Sequence, residues 1–222
     1  MKKIILTTVM SAWAALASAQ FTNSYTVTPG TAIPDGNPAG IAETFTVSGL
    51  FPIQDVQVGL NISGGFNGDL YAYLVAPNGN MAVLLNRVGM DGSNPIGYSD
   101  AGFNITLDDG AGANIHNYQS GMYQIIGGQL TGTWASDGRN IDPQSPAISF
   151  DSAATSANLE SLLASSPNGT WTLFLSDVSS GGGTATLNSA TLTVISVPEP
   201  QTWALIGVGG LVLLWRNRLM RK

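Results

Sequence analysis

The chain has 222 residues, 14 acidic and 8 basic, with a formal net charge of −6. One histidine and no cysteine exclude disulfides, thiol catalysis, thiolate-ligated zinc and any zinc centre built on several histidines. Only 10% of residues are charged while glycine supplies 27 of them, the composition of a turn-rich extracellular β-protein.

Met1-Lys2-Lys3, an apolar run to Leu16 and then Ala17-Ser18-Ala19 form a secretory leader, with cleavage expected between Ala19 and Gln20. An N-terminal anchor helix would need a longer apolar run. Residues 20–196 are expected to be one body. It holds only two cations, Arg87 and Arg139, against 13 of the 14 carboxylates, which leaves it near −11. Such a balance disfavours nucleic acid and anionic membrane surfaces as partners and suits divalent cations.

Within the body, residues 24–28 read as an edge strand, followed by turns at Pro29-Gly30, Pro34-Asp35-Gly36 and Pro38, and by a strand over 41–47. Val56, Val58, Leu60 and Ile62 alternate with Gln57, Gly59 and Asn61, the pattern of a sheet with one buried and one polar face. A Gly-rich loop at 63–68 precedes a strand over 69–76. Pro77-Asn78-Gly79-Asn80 then turns the chain into a partner strand over 81–86. A short strand over 103–107 lies between loops at 91–96 and 108–117, and 121–146 is expected to be mostly irregular. Residues 156–164 are the one expected helix, with Ser156 as N-cap. Trp171, Leu173 and Leu175 share one face of a strand opening at Gly169-Thr170; Gly181-Gly182-Gly183 turns into a closing strand over 190–196. The expected fold is an all-β, jelly-roll-like antiparallel β-sandwich with one short helix.

Two groups of residues carry a family resemblance. Gly68-Asp69-Leu70, Leu74, Pro77 and Gly79, followed later by Gly169, Trp171, Leu173 and Asp177, resemble the proprotein-convertase P domain. That resemblance implies a non-catalytic β-sandwich over about residues 47–195, in a family where it accompanies a protease domain. The closing strand departs from the family pattern, with Ala190 after Ser189 where a Trp is usual, and no protease domain is present to accompany.

The last segment, 197–222, begins Val197-Pro198-Glu199-Pro200. Trp203 to Trp215 would make a helix of about 20 Å, short for a hydrocarbon core of about 30 Å. Trp203 and Trp215 suit the two interfaces, and Arg216, Arg218, Arg221 and Lys222 the cytoplasmic side. An ordinary tail anchor, or an apolar strand with a basic end, would use the same residues. The three-part order resembles the PEP-CTERM sorting signal of Gram-negative bacteria. It implies brief retention at the inner membrane by the C-terminal helix, recognition of Pro198, Glu199 and Pro200 by an exosortase, and delivery to the cell surface or extracellular matrix.

Catalytic candidates are few. His116 has no nucleophile elbow to serve, and G-x-S-x-G is absent. Asp108-Asp109, Asp137, Asp142 and Glu160 form no evident glycosidase pair. Calcium fits the acidic loops better, since it takes several oxygens from flexible loops: Asp108 and Asp109, Asp137 and Asp142, and the pair Asp69 and Asp177 are the candidate ligands. Asp and Asn also occupy turns for conformational reasons alone. Three functional readings follow. They are a non-catalytic structural or adhesive surface protein, a calcium-dependent carbohydrate-binding module using Tyr71, Tyr73 and Trp134 (rings that equally suit the core or cross-strand pairs) with a surface polysaccharide as partner, and an unrecognised secreted hydrolase.

Overall fold

A computed structural model describes residues 20–197. The leader with Ala19, and everything from Pro198 on, including the sorting motif and the expected membrane helix, lie outside the described residues. Eleven strands follow in order: β1 Phe21–Val27, β2 Thr31–Ile33, β3 Asn37–Val47, β4 Ile53–Ser63, β5 Leu70–Val75, β6 Met81–Asn86, β7 Phe103–Leu107, β8 Gln124–Ile126, β9 Gln129–Trp134, β10 Gly169–Asp177 and β11 Ala185–Ser196. They form a seven-stranded sheet in the order β1-β11-β4-β7-β9-β8, with β2 also on β11, and a four-stranded sheet in the order β3-β10-β5-β6. The fold is an all-β sandwich.

Side-chain alternation builds the core. Val56, Val58, Leu60 and Ile62 of β4 are buried, as are Ala190, Leu192 and Val194 of the neighbouring β11. From the other sheet, Leu70, Ala72 and Leu74 of β5 and Trp171, Leu173 and Leu175 of β10 join the same cluster. Each large apolar side chain withdrawn from water contributes about 1.5 to 3 kcal/mol, and with no disulfide this burial carries the stability of the body.

The structure departs from the sequence expectation in three places. Residues 121–146 are mostly irregular as expected, but they also hold two short strands that the pattern does not show, β8 and β9. Gly127 and Gly128, with φ of 63° and 87°, close a two-residue hairpin between them. Secondly, β9 pairs parallel to β7, from Phe103↔Leu130 to Leu107↔Trp134; the connection over 108–128, which includes β8, is long enough to make that crossover. Thirdly, the expected short helix is a single 3-10 turn, Leu159–Leu162, with Asn158 rather than Ser156 at its N-cap.

The segment after β9 covers the outer edge of β6. Asp137 N–H donates to Leu84 O, Gly138 N–H to Val83 O, and Val83 N–H to Ala157 O. Gly138 has φ of 73°, and a Cβ there would lie 2.4 Å from Thr155 O, so only glycine lets the two segments approach. An open, apolar strand edge would otherwise invite pairing with another chain.

The two outward faces differ. On the four-stranded sheet Tyr73 stacks on Phe174 with centroids 4.8 Å apart, and Tyr71 lies 5.6 Å from Tyr73. On the seven-stranded sheet the outer face is largely polar, with Asp55 and Asp108 at one end beside Gln57. Hydroxyl pairs Ser24–Thr193 and Thr26–Thr191, each 2.9 Å apart, knit β1 to β11. A register shift between Leu187 and Ser189 adds Asn188, whose Nδ2 donates to Asn61 and Ser63.

Trp171 is 0% exposed, and its Nε1–H donates to Pro167 O at 2.8 Å. Trp171→Ala is expected to lower stability by about 3 to 5 kcal/mol, read from urea unfolding. An unchanged midpoint would show that the ring is not part of the core.

Candidate functional site

His116 stands at the centre of a buried polar network. Asn114 caps the 3-10 turn Ile115–Ser120, accepting from His116 N–H through Oδ1, and so aims the imidazole inward. There its Nδ1 lies 2.7 Å from Asp137 Oδ2 and its Nε2 3.0 Å from Met90 O, both within hydrogen-bonding distance. Asp137 Oδ2 also accepts the Asn86 backbone N–H, while Oδ1 accepts Arg139 Nη1 at 3.0 Å. His116 is therefore no ordinary loop histidine. Both ring nitrogens are engaged, so neither is free to act as a base on a substrate.

The other sequence candidates divide by what their carboxylates already hold. Asp108 Oδ1 accepts Gly110 N–H and its Oδ2 accepts Gln57 Nε2. Asp109 accepts the backbone N–H and hydroxyl of Ser136 on one oxygen and Glu160 N–H on the other, stapling three segments together. Asp142 Oδ1 accepts Gln144 N–H in a local turn. Among the described residues no three His, Asp or Glu side chains converge closely enough to hold a metal ion.

Asp69 and Asp177 do come together. They sit side by side where β5 and β10 begin and end, and both are buried. Arg87 Nη2 lies 3.6 Å from Asp69 Oδ1, and Arg87 Nε donates to Gly68 O. To reach them Arg87 adopts φ of 50°, a left-handed backbone conformation that costs about 1 to 2 kcal/mol for a side-chain-bearing residue. Asp177 Oδ2 is the one buried carboxylate oxygen without a hydrogen-bond partner among the described residues. Burial pushes the Asp177 carboxyl up to about 6, against the pull of backbone N–H groups of Ser179 and Gly36. Burial raises Asp69 too, with Arg87 opposing.

The three aromatic candidates are not a set. Tyr71 and Tyr73 lie half-buried on the outer face of the four-stranded sheet, where Tyr73 stacks on Phe174 and Tyr71 tilts against Tyr73. Trp134 belongs to the opposite sheet and is only 6% exposed, with Nε1 donating to Thr131 O. Trp134 lines an open groove of about 800 Å³ with Ala113, Met122, Tyr123 and Gln124. Sequence reasoning misses this groove because its walls combine loop residues with a short hairpin whose glycines and threonines hide a period of two. A second, shallower trough of about 350 Å³ lies on the outer face of the seven-stranded sheet at Gly59, bordered by Gln57, Asn61, Asn104, Thr106 and Thr191.

Comparison with known proteins agrees with both resemblances. Residues 196–219 match the PEP-CTERM protein-sorting motif, and residues 53–148 match the proprotein convertase P-domain. The chain thus carries that sorting motif behind a body with a P-domain region, and the P domain is a non-catalytic type of domain. The motif implies export, processing by an exosortase and sorting to the cell surface of Gram-negative bacteria. No curated protein matches the chain. Two solved structures are similar at 14% identity, a complex of the Aeromonas sobria serine protease with its chaperone (TM-score 0.44, covering 81% of this chain) and that protease alone (0.43, 80%). The chain spans 27% of the length of either. Among the described residues no helix is long and apolar enough to cross a membrane.

Two outcomes are expected. Asp137→Ala strands His116, Arg139 and the Asn86 N–H in the interior, and should cost about 3 to 5 kcal/mol in urea unfolding; a loss below about 1 kcal/mol would show the network to be dispensable. Asp177 behaves differently. A carboxyl whose folded-state pKa lies above its unfolded value binds the extra proton in the native state, so its contribution is full below about 4 and is lost as pH rises through about 6. Asp177→Asn should therefore raise Tm at pH 7.5 and change it little at pH 4. An equal shift at both pH values would show that the carboxyl does not titrate in this range.

Proposed function

We propose that the chain is an exported protein of the cell surface or extracellular matrix of a Gram-negative bacterium, a non-catalytic β-sandwich with a structural or adhesive task. The observation that carries this reading is the sorting motif at 196–219, which begins at Ser196, the last residue of the closing strand β11. The body is delivered and the tail is an address. An exosortase is its processing partner, and the short apolar segment before the basic end holds the chain at the membrane until it is cut.

The body supports the same reading. His116 is tied at both nitrogens, and the two cations of the described residues, Arg87 and Arg139, are paired inward with Asp69 and Asp137. The acidic exterior that remains disfavours nucleic acid as a partner. A carbohydrate-binding role is the second reading, favoured by the rows of hydroxyl and amide side chains on the outer face of the seven-stranded sheet.

Mass spectrometry of the surface fraction tests the sorting claim. Peptides should run through the β11 sequence and stop near Pro200. Recovery of peptides from Arg216 to Lys222 in that fraction would overturn processing and leave a retained anchor in its place.

A further inference from the structure

We propose that the outer face of the seven-stranded sheet, centred on the trough at Gly59, is a binding face for a neutral, hydroxyl-rich polysaccharide. This deepens the adhesive reading above and rests on it.

Register across the sheet places like residues in rows. Thr26 pairs with Thr191, Thr191 with Gly59, Gly59 with Thr106, and Thr106 with Thr133. This is one line of hydroxyls across five strands, broken only by the glycine. A parallel line runs Ser189, Asn61, Asn104, Thr131. Neighbouring positions in a row are about 4.8 Å apart, and successive outward positions along a strand about 6.7 Å. The result is a flat grid of short side chains, each offering both donor and acceptor capacity. The missing side chain at Gly59 opens the trough of about 350 Å³ in its middle.

Charge selects the occupant. Both rows are free of ionisable groups in a body carrying 13 carboxylates and two arginines. The nearest, Asp55 and Asp108, flank one end and both accept from Gln57 Nε2. A polyanion meets repulsion from the whole exterior, and a polycation finds its carboxylates elsewhere. A second copy of the chain would bring the same acidic exterior, with only two isolated apolar side chains on this face, Ile126 and Ile195, to offset it. A neutral polymer of hydroxyl groups meets none of these penalties. Its hydroxyls exchange water for amide and hydroxyl partners at many points, each weak and all additive along the chain. The Tyr71–Tyr73–Phe174 face offers no such array.

Gly59 makes the idea testable without harming the fold. Its backbone needs no left-handed conformation, and an added Cβ would come nearest Thr191, whose Cβ lies 3.4 Å away. Gly59→Val should therefore fill the trough while suiting the strand. The experiment is affinity electrophoresis of the purified full chain through gels containing a neutral β-glucan, a neutral mannan or alginate. Thr172→Val on the other sheet serves as control, with Tm measured for each protein. Retardation by at least one neutral polymer is expected, weakened by at least about tenfold in Gly59→Val and unchanged in Thr172→Val. Thr106→Ala should weaken it as well. No retardation by either neutral polymer, equal retardation of Gly59→Val, or stronger retardation by alginate would each overturn the proposal. Because this assay uses purified protein, its failure leaves the sorting result untouched, and the reverse also holds.

Discussion

One buried carboxylate holds the irregular third of this sandwich in place. Asp137 takes hydrogen bonds from His116, Arg139 and the Asn86 backbone, all in the interior, where an unmatched charge would cost several kcal/mol. Those three partners come from the turn after β7, from the covering segment, and from the end of β6. Satisfying one anion therefore fixes three pieces of chain that share no strand pairing. The backbone bonds that Asp137 and Gly138 make to Leu84 and Val83 follow from that anchoring, and with them the closure of the β6 edge.

The same logic recurs at the other cation. Arg87 bends into a left-handed conformation to reach Asp69 and Gly68, accepting local strain in exchange for compensating a buried acid. The neighbouring Asp177 is left to its burial, which pushes its carboxyl up to about 6. Both arginines of the body are thus interior parts. Their work is structural, and the surface is left to carboxylates, amides and hydroxyls.

Much of the frame was legible in the sequence. Met81–Asn86 and Phe103–Leu107 match their expected spans, and the alternation from Val56 to Ile62 sits inside β4 as read. Local pattern failed where the signal was diluted. In β8 and β9, glycines at 127, 128 and 132 and a run of Thr and Gln hide a period of two, and a parallel partner leaves no trace in nearby residues. The candidate sites were harder still. Asp137 and His116 are 21 positions apart, and nothing in either local sequence says that they meet. Trp134 looked like an exposed ring because its neighbours are polar, yet it is packed near Tyr118 at 6.1 Å. The polar half of β4 was visible, but its alignment with threonines on four other strands depends on register, which only the fold supplies.

Turning both arginines inward also governs how such bodies behave when crowded. Among the described residues every outward formal charge is negative, so two bodies side by side repel over a range set by dissolved ions, about 8 Å at 0.15 M ionic strength and about 30 Å at 0.01 M. A layer of these domains would stand apart in fresh water and close up in brine. Its lateral spacing would then be a property of the medium as much as of the protein.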